Sequence, residues 1–140
     1  MIFLDTNILV RLAVRDDPVQ SEHVLEVFRK ARRIGETIHV SSDVILETVW
    51  VLQKNGLGLS REDVADFISS FASIENTSIG HEDSVLRAVN RYRQDGDFAD
   101  LLFLELSQEC GARMMLSFDR KLRRSAPALV LTPEEYCRTT

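Results

Sequence analysis

Short apolar runs that alternate with longer amphipathic stretches make this chain an α/β protein, with a parallel sheet carrying helices on both faces. Three observations lead there. The first run, Met1-Ile2-Phe3-Leu4, is apolar without polar alternation, the pattern of a strand covered on both sides. A second run, Met114 to Phe118, ends in Asp119 much as the first ends in Asp5. The stretches between such runs are helical in period, as right-handed crossovers between parallel strands require. With 140 residues, 44% hydrophobic and 28% charged, the chain reads as one domain over residues 1–140, large enough for a real core.

The elements follow in order. Met1 to Leu4 is the first strand, expected at the centre of the sheet, and Asp5-Thr6-Asn7 opens a short helix to about Val14. Arg15-Asp16-Asp17-Pro18 breaks it. Asp17 and Pro18 are the cap and first position of the next helix, because that position leaves unused the amide hydrogen proline lacks. Val24, Val27, Phe28 and Ala31 recur at helical spacing and face inward, and Gly35 ends the helix. Thr37 to Val40 is the second strand. Ser41 or Ser42 starts a helix through Gln53, with Gly56 and Gly58 in the turn behind it. Ser60-Arg61-Glu62-Asp63 is a capping box for a helix striped with Val64, Phe67, Ile68 and Phe71. Thr77 to Ile79 is the third strand. His81 to Arg93 is amphipathic, with Val85, Leu86, Val89 and Tyr92 inward, and Asp95-Gly96-Asp97 is a turn. Phe98 to Gly111 carries leucine on nearly all sides, which predicts burial. Met114 to Phe118 and Leu129 to Leu131 are the fourth and fifth strands, and Pro133 starts a last short helix.

Composition narrows the function classes. No apolar run approaches the ~18 residues of a membrane span and no signal peptide is evident, so a cytoplasmic protein without membrane contact is expected. Cys110 and Cys137 make no motif and are expected to be reduced and structural. His23, His39 and His81 lack zinc-ligand spacing, so any metal is expected on oxygen ligands. The formal charge of −5 disfavours nonspecific nucleic-acid binding. Its distribution says something else, with basic clusters at Arg29-Lys30-Arg32-Arg33, at Arg87-Arg91-Arg93 and at Arg120-Lys121-Arg123-Arg124.

Four carboxylates stand out against that background. Asp5 and Asp119 each follow an apolar strand, where ligands sit in an open parallel sheet, although each also suits a helix cap. Glu47 lies inside the apolar run Val44 to Leu52 on a face shared with Val44 and Val51, so it either points into apolar surroundings and needs a cation, or sits at an edge and reaches solvent. Asp97 caps the leucine-rich helix, and Asp100 shares a row with Phe103 and Leu104 that turns it toward the core side. These four acids account for most of the net charge. If they converge, only a bound cation offsets their repulsion, and several carboxylates suit Mg²⁺ or Mn²⁺ with waters completing the shell.

Leu4-Asp5-Thr6-Asn7, the glutamate of Ile45-Leu46-Glu47, Asp97-Phe98-Ala99-Asp100-Leu101-Leu102 and Ser117-Phe118-Asp119-Arg120-Lys121 together resemble the PIN-domain ribonucleases, and closely the VapC toxins of toxin–antitoxin pairs. The resemblance spans nearly the whole chain, in the right order and at usual spacings. It implies a three-layer α/β/α sandwich with a central five-stranded parallel sheet, and a Mg²⁺- or Mn²⁺-dependent endoribonuclease. Asp5, Glu47, Asp100 and Asp119 match the family's acids, with Asp5 and Asp100 as direct metal ligands. Thr6 matches the hydroxyl beside the first acid, Asp97 is a helper, and Ser117 stands where threonine is more usual. Arg120 and Lys121 are placed to contact substrate phosphate. Implied partners are an RNA substrate, a small VapB-like antitoxin whose C-terminal segment covers the site, and a second copy of the chain packed through the apolar helices between Val44 and Phe71. Two rivals stand beside this reading. A haloacid-dehalogenase-type phosphotransferase wants a second aspartate where Asn7 stands, and a PIN-like RNA- or protein-binding module would not need all four acids.

Overall fold

The computed structural model describes residues 1–54 and 57–139. The chain opens with β1 (Ile2–Phe3), α1 (Thr6–Val14), α2 (Pro18–Ile34), β2 (Ile38–Val40) and α3 (Ser42–Lys54). It continues with α4 (Arg61–Ala72), β3 (Thr77–Ile79), α5 (Glu82–Tyr92) and α6 (Phe98–Glu109). It closes with β4 (Met115–Leu116), α7 (Arg120–Ser125), β5 (Val130–Leu131) and α8 (Pro133–Arg138). Gly56, expected in the turn after α3, lies outside the described residues; Gly58 takes a positive φ of 72°.

All the ladders are parallel, so the fold is a helix-rich α/β architecture of the expected class. Ile2 lies opposite Ile38, Ile38 opposite Thr77 and Val40 opposite Ile79, while Met115 pairs with Val130. The hydrogen-bonded ladders divide into a three-stranded sheet, β1-β2-β3, and a two-stranded one, β4-β5, rather than running as one five-stranded sheet. β1 is therefore an edge of its ladder, not its centre. The physical reason is visible in exposure: Phe3 is 60% exposed and Phe118 80%, so neither outer run is covered on both sides, and each strand shrinks to two residues.

The main core gathers Leu9, Ile38, Val40, Ile45, Val49 and Leu52 with Val64, Ile68, Phe71, Val85, Val89, Tyr92, Phe98 and Leu102. A smaller cluster of Leu104, Leu122 and Val130 seats β4, β5 and α7 against α6. The inward stripe expected on α2 holds for Val24 and Ala31 and fails for Val27, which is exposed. Nor are the thiols structural: Cys110 and Cys137 are both exposed and free.

Local chemistry sets the helix ends as expected. Asp17 accepts the Gln20 amide at 3.0 Å ahead of Pro18, and Gly35 closes α2 in the left-handed region at φ 69°. At α4 the box is reciprocal: the Asp63 amide donates to Ser60 Oγ at 3.0 Å, and the Ser60 amide donates to Asp63 Oδ2 at 3.0 Å. Those hydrogen bonds, the backbone one first, hold the Asp63 carboxyl below its ordinary value. Ser60→Ala is expected to lower stability by about 1 kcal/mol at neutral pH. Part of that loss should fade as acid protonates Asp63, because a depressed carboxylate stabilises the fold only above its unfolded value. Urea unfolding of both proteins at pH 7 and below pH 4 checks it.

Candidate active site

Asp5 follows β1, where the Leu4 amide donates to the His39 carbonyl at 3.0 Å and so ties the strand exit to β2. Its side chain caps α1, with Oδ1 accepting the Thr6 amide at 2.7 Å. The Thr6 residue behind it is buried. A cleft of about 380 Å³ opens here, lined by Asp5, Thr6, Asn7 and Arg11 from one side and by Glu47 and Val51 of α3 from the other. Arg11 is turned to Asp16 in an ion pair.

Glu47 is exposed, so of its two sequence readings the edge position is the one observed. The buried stripe of α3 is Ile45, Thr48, Val49 and Leu52, and Glu47 stands beside it with the half-buried Val44 and Val51. Its carboxylate therefore borders the Asp5 cleft from an exposed position.

The turn before α6 is the most constrained part of the site. Gly96 sits at φ 98°, and a Cβ there would come within 3.2 Å of the Leu101 side chain, so the position demands glycine. Arg61 Nη1 donates to the Tyr92 carbonyl at 3.1 Å and to the Gly96 carbonyl at 2.6 Å, with its guanidinium 4.6 Å above the Tyr92 ring. Tyr92 in turn meets Phe98 edge to face at 5.8 Å. The first turn of α6 is thus pinned from α4 and α5 together. Asp97 caps it by accepting the Ala99 amide at 3.0 Å, and Asp100 follows within the turn.

Asp100 is half-buried. Burial, then the charges of Asp97 and Asp119, push its carboxyl above the ordinary value, with Lys121 opposing them. Asp119 caps α7 by accepting the Leu122 amide at 2.9 Å, while its own amide donates to Ser117 Oγ at 3.0 Å. Ser117 therefore fixes the backbone that aims Asp119. A groove of about 780 Å³ runs along this edge, and its lining includes Trp50, Lys54, Arg61, Asp97, Asp100 and Lys121. Arg120, one residue earlier, faces away from it into a different cleft with Arg123 and Glu135. Of the two basic residues expected at the substrate, only Lys121 reaches the acids.

The acids therefore line two clefts that both border α3, Asp5 with Glu47 in one and Asp97 with Asp100 in the other. None of these four, nor Asp119, takes part in an ion pair among the described residues, although the surface holds many elsewhere. Among those residues no three His, Cys, Asp or Glu side chains lie close enough to form an ion cage unaided. All-oxygen donors with room for water suit Mg²⁺ or Mn²⁺, which keeps several waters and takes only one or two carboxylates. Zinc, which wants nitrogen or sulfur ligands in a closed tetrahedron, does not suit them.

The residues 2–126 match the PIN domain model. The chain belongs to the PIN-domain family. No curated protein matches it in sequence. Family membership gives the fold its class, a nuclease-type domain of the kind commonly built for metal-dependent cleavage of RNA, and PIN domains typically use divalent metals. No helix among the described residues is long and apolar enough to cross a membrane. Trp50, Lys54 and Arg61 are groove residues that the sequence reading did not single out. Only the spacing Glu47 to Trp50 signalled any of them, since positions three apart are neighbours on a helix.

Proposed function

We propose that this PIN-domain chain is a Mg²⁺- or Mn²⁺-dependent endoribonuclease, and within the family a VapC-type toxin. The observation that carries the catalytic reading is Asp100: a half-buried carboxylate beside the charges of Asp97 and Asp119, without an ion pair among the described residues, in an open groove with Lys121. Such a group is unfavourable for folding and is retained where a cation and an anionic substrate use it.

In this reading Asp5 and Asp100 would hold the divalent ion, and Glu47 and Asp119 would assist them. The ion when bound supplies the Lewis acidity that activates water for attack on a phosphodiester and offsets the charge that develops on phosphorus oxygens. Glu47, exposed and free to hydrogen-bond water, orients the attacking molecule. Asp97 and Ser117 keep Asp100 and Asp119 in place through the α6 and α7 caps. Lys121 holds a substrate phosphate beside Asp100. The biological partners in this reading are cellular RNA, a VapB-like antitoxin whose C-terminal segment lies over the acids, and a second copy of the chain. The apolar residues between Val44 and Phe71 mostly enter the core, so within that segment the surface left for a partner is Trp50 and Leu57.

Asp5→Asn tests the assignment. It keeps the Thr6 cap and removes the charge, so the variant is expected to fold normally and to lose metal-dependent cleavage of a pool of structured RNAs by a factor on the order of 10³. Full activity in Asp5→Asn would remove Asp5 from the site.

A non-catalytic PIN-like binding module is favoured by one observation, that Asp5, Asp97 and Asp119 are each engaged in capping a helix. Following thermal unfolding during a Mn²⁺ titration separates the two, because an ion that binds only the folded state raises the midpoint.

A further inference from the structure

We propose that Arg61 is the positioning residue for the carboxylates of α6. The assignment rests on the metal-dependent ribonuclease reading and adds to it the side chain that sets the angle of Asp97 and Asp100. Arg61 opens α4, where the reciprocal hydrogen bonds between Ser60 and Asp63 fix its backbone. It is half-buried and lines the groove with Asp95, Asp97 and Asp100, yet it makes no ion pair among the described residues. What it holds instead is backbone. One nitrogen, Nη1, spans the Tyr92 carbonyl at 3.1 Å and the Gly96 carbonyl at 2.6 Å, while the Tyr92 ring, 4.6 Å away, steadies the guanidinium.

Those two carbonyls govern the start of α6. Tyr92 ends α5, where the last carbonyls have no partner within the helix and a cation is favoured. Gly96 carries the peptide unit that leads into Asp97, whose carbonyl accepts the Leu101 amide at 3.0 Å and whose side chain accepts the Ala99 amide. Holding the Gly96 carbonyl therefore fixes the peptide from which α6 begins, and Asp100 stands in the turn that follows. Lysine is no substitute, because a compact ammonium on a flexible stem lacks the flat fork that rests on the ring while donating.

A second arginine joins the same elements in the opposite direction and supplies the comparison. Arg93, just past α5, reaches back to α4, donating to Asp66 at 2.6 Å and to Ser69 Oγ at 3.2 Å and pairing with Glu62. Its side chain makes no hydrogen bond to the Tyr92 or Gly96 carbonyl among the described residues. Losing Arg93 therefore weakens the docking of α4 alone, whereas losing Arg61 also frees the start of α6.

Arg61→Lys and Arg93→Gln are compared with the parent in three measurements. Without metal, the Ala99 and Leu101 amides should exchange their hydrogens faster in Arg61→Lys and at the parental rate in Arg93→Gln. The rise of the thermal midpoint with Mn²⁺ should show affinity about tenfold weaker in Arg61→Lys and parental in Arg93→Gln, the loss typical when a residue that orients a metal ligand is removed. RNA cleavage by Arg61→Lys should fall in kcat by about tenfold with KM little changed. Arg61→Met, which keeps the stem against the Tyr92 ring and leaves both carbonyls to water, replaces Arg61→Lys if the latter does not fold. Parental exchange at Ala99 and Leu101, or Mn²⁺ affinity lowered equally in Arg93→Gln, overturns the proposal. A raised KM with parental Mn²⁺ affinity overturns it as well and makes Arg61 a contact of the substrate phosphate. In each of these cases a parent that binds Mn²⁺ and cleaves RNA keeps the ribonuclease reading; a parent that does neither defeats that reading and the role of Arg61 together.

Discussion

Asp100→Asn is expected to raise the thermal midpoint of the metal-free protein at neutral pH while abolishing metal-dependent RNA cleavage. The two effects have opposite signs because they have one cause. Burial, followed by the charges of Asp97 and Asp119, raises the Asp100 carboxyl in the folded protein. A group whose folded value lies above its unfolded one binds its proton more tightly when folded. Stability therefore falls as pH climbs from the ordinary carboxylate range through the raised value. A neutral amide of the same shape escapes it. The gain should read as an upward shift of the midpoint, and it should vanish below the ordinary aspartate range, where both side chains are uncharged. Mn²⁺ reverses the ranking: a hundredfold excess over its dissociation constant stabilises the parent by about 2.7 kcal/mol and the variant little. Cleavage should drop by a factor on the order of 10³. Calorimetric scans of both proteins between pH 3 and 8, with and without Mn²⁺, check the pattern. A variant less stable than its parent at pH 7 without metal would show that Asp100 makes a favourable native contact, and the strained-ligand account would fail.

The punctuation of the chain was legible because its causes are local. Asp17 with Pro18, the Ser60–Asp63 box and the turn at Gly96 act on backbone groups within four residues, so residue type alone specifies them. Strand cover was not legible in the same way. Four apolar residues at the N-terminus say that a strand is favoured, but how far Phe3 is covered depends on residues distant in sequence, and it is left 60% exposed. Glu47 shows the same limit on a helix. Periodicity gives the angle of a side chain about the axis, not the width of the surface it packs against, and the stripe of α3 stops at Ile45, Thr48, Val49 and Leu52. One step of about 100° on α7 likewise separates Lys121, at the acids, from Arg120, in another cleft. The groove itself draws on α3, α4, α6 and α7, so no single stretch of sequence carried its pattern.

Replacing Phe98 by alanine should be among the most damaging changes to the fold, at about 3–5 kcal/mol, a large share of the 5–15 kcal/mol that holds a typical domain together. Phe98 is 1% exposed and opens α6. Its ring meets Tyr92 edge to face, and the Arg61 guanidinium lies 4.6 Å from the centre of the Tyr92 ring. Truncation leaves a void at the point where three helices meet, and the edge-to-face contact, about 0.5–1.5 kcal/mol in itself, goes with it. The consequence extends to the site, since the same stack positions the carbonyls of Tyr92 and Gly96 that Arg61 grips. Loosening it frees the turn that aims Asp97 and Asp100. Phe98→Ala should therefore also weaken Mn²⁺ stabilisation at temperatures where the protein is still folded, an effect that a remote core cavity of equal cost would not produce. Ile68→Ala, in the core but away from that turn, provides the comparison. Urea unfolding with and without Mn²⁺ measures both quantities. Equal metal stabilisation in the two variants would mean that the aromatic stack supports the core alone and that the α6 cap holds Asp97 and Asp100 without it.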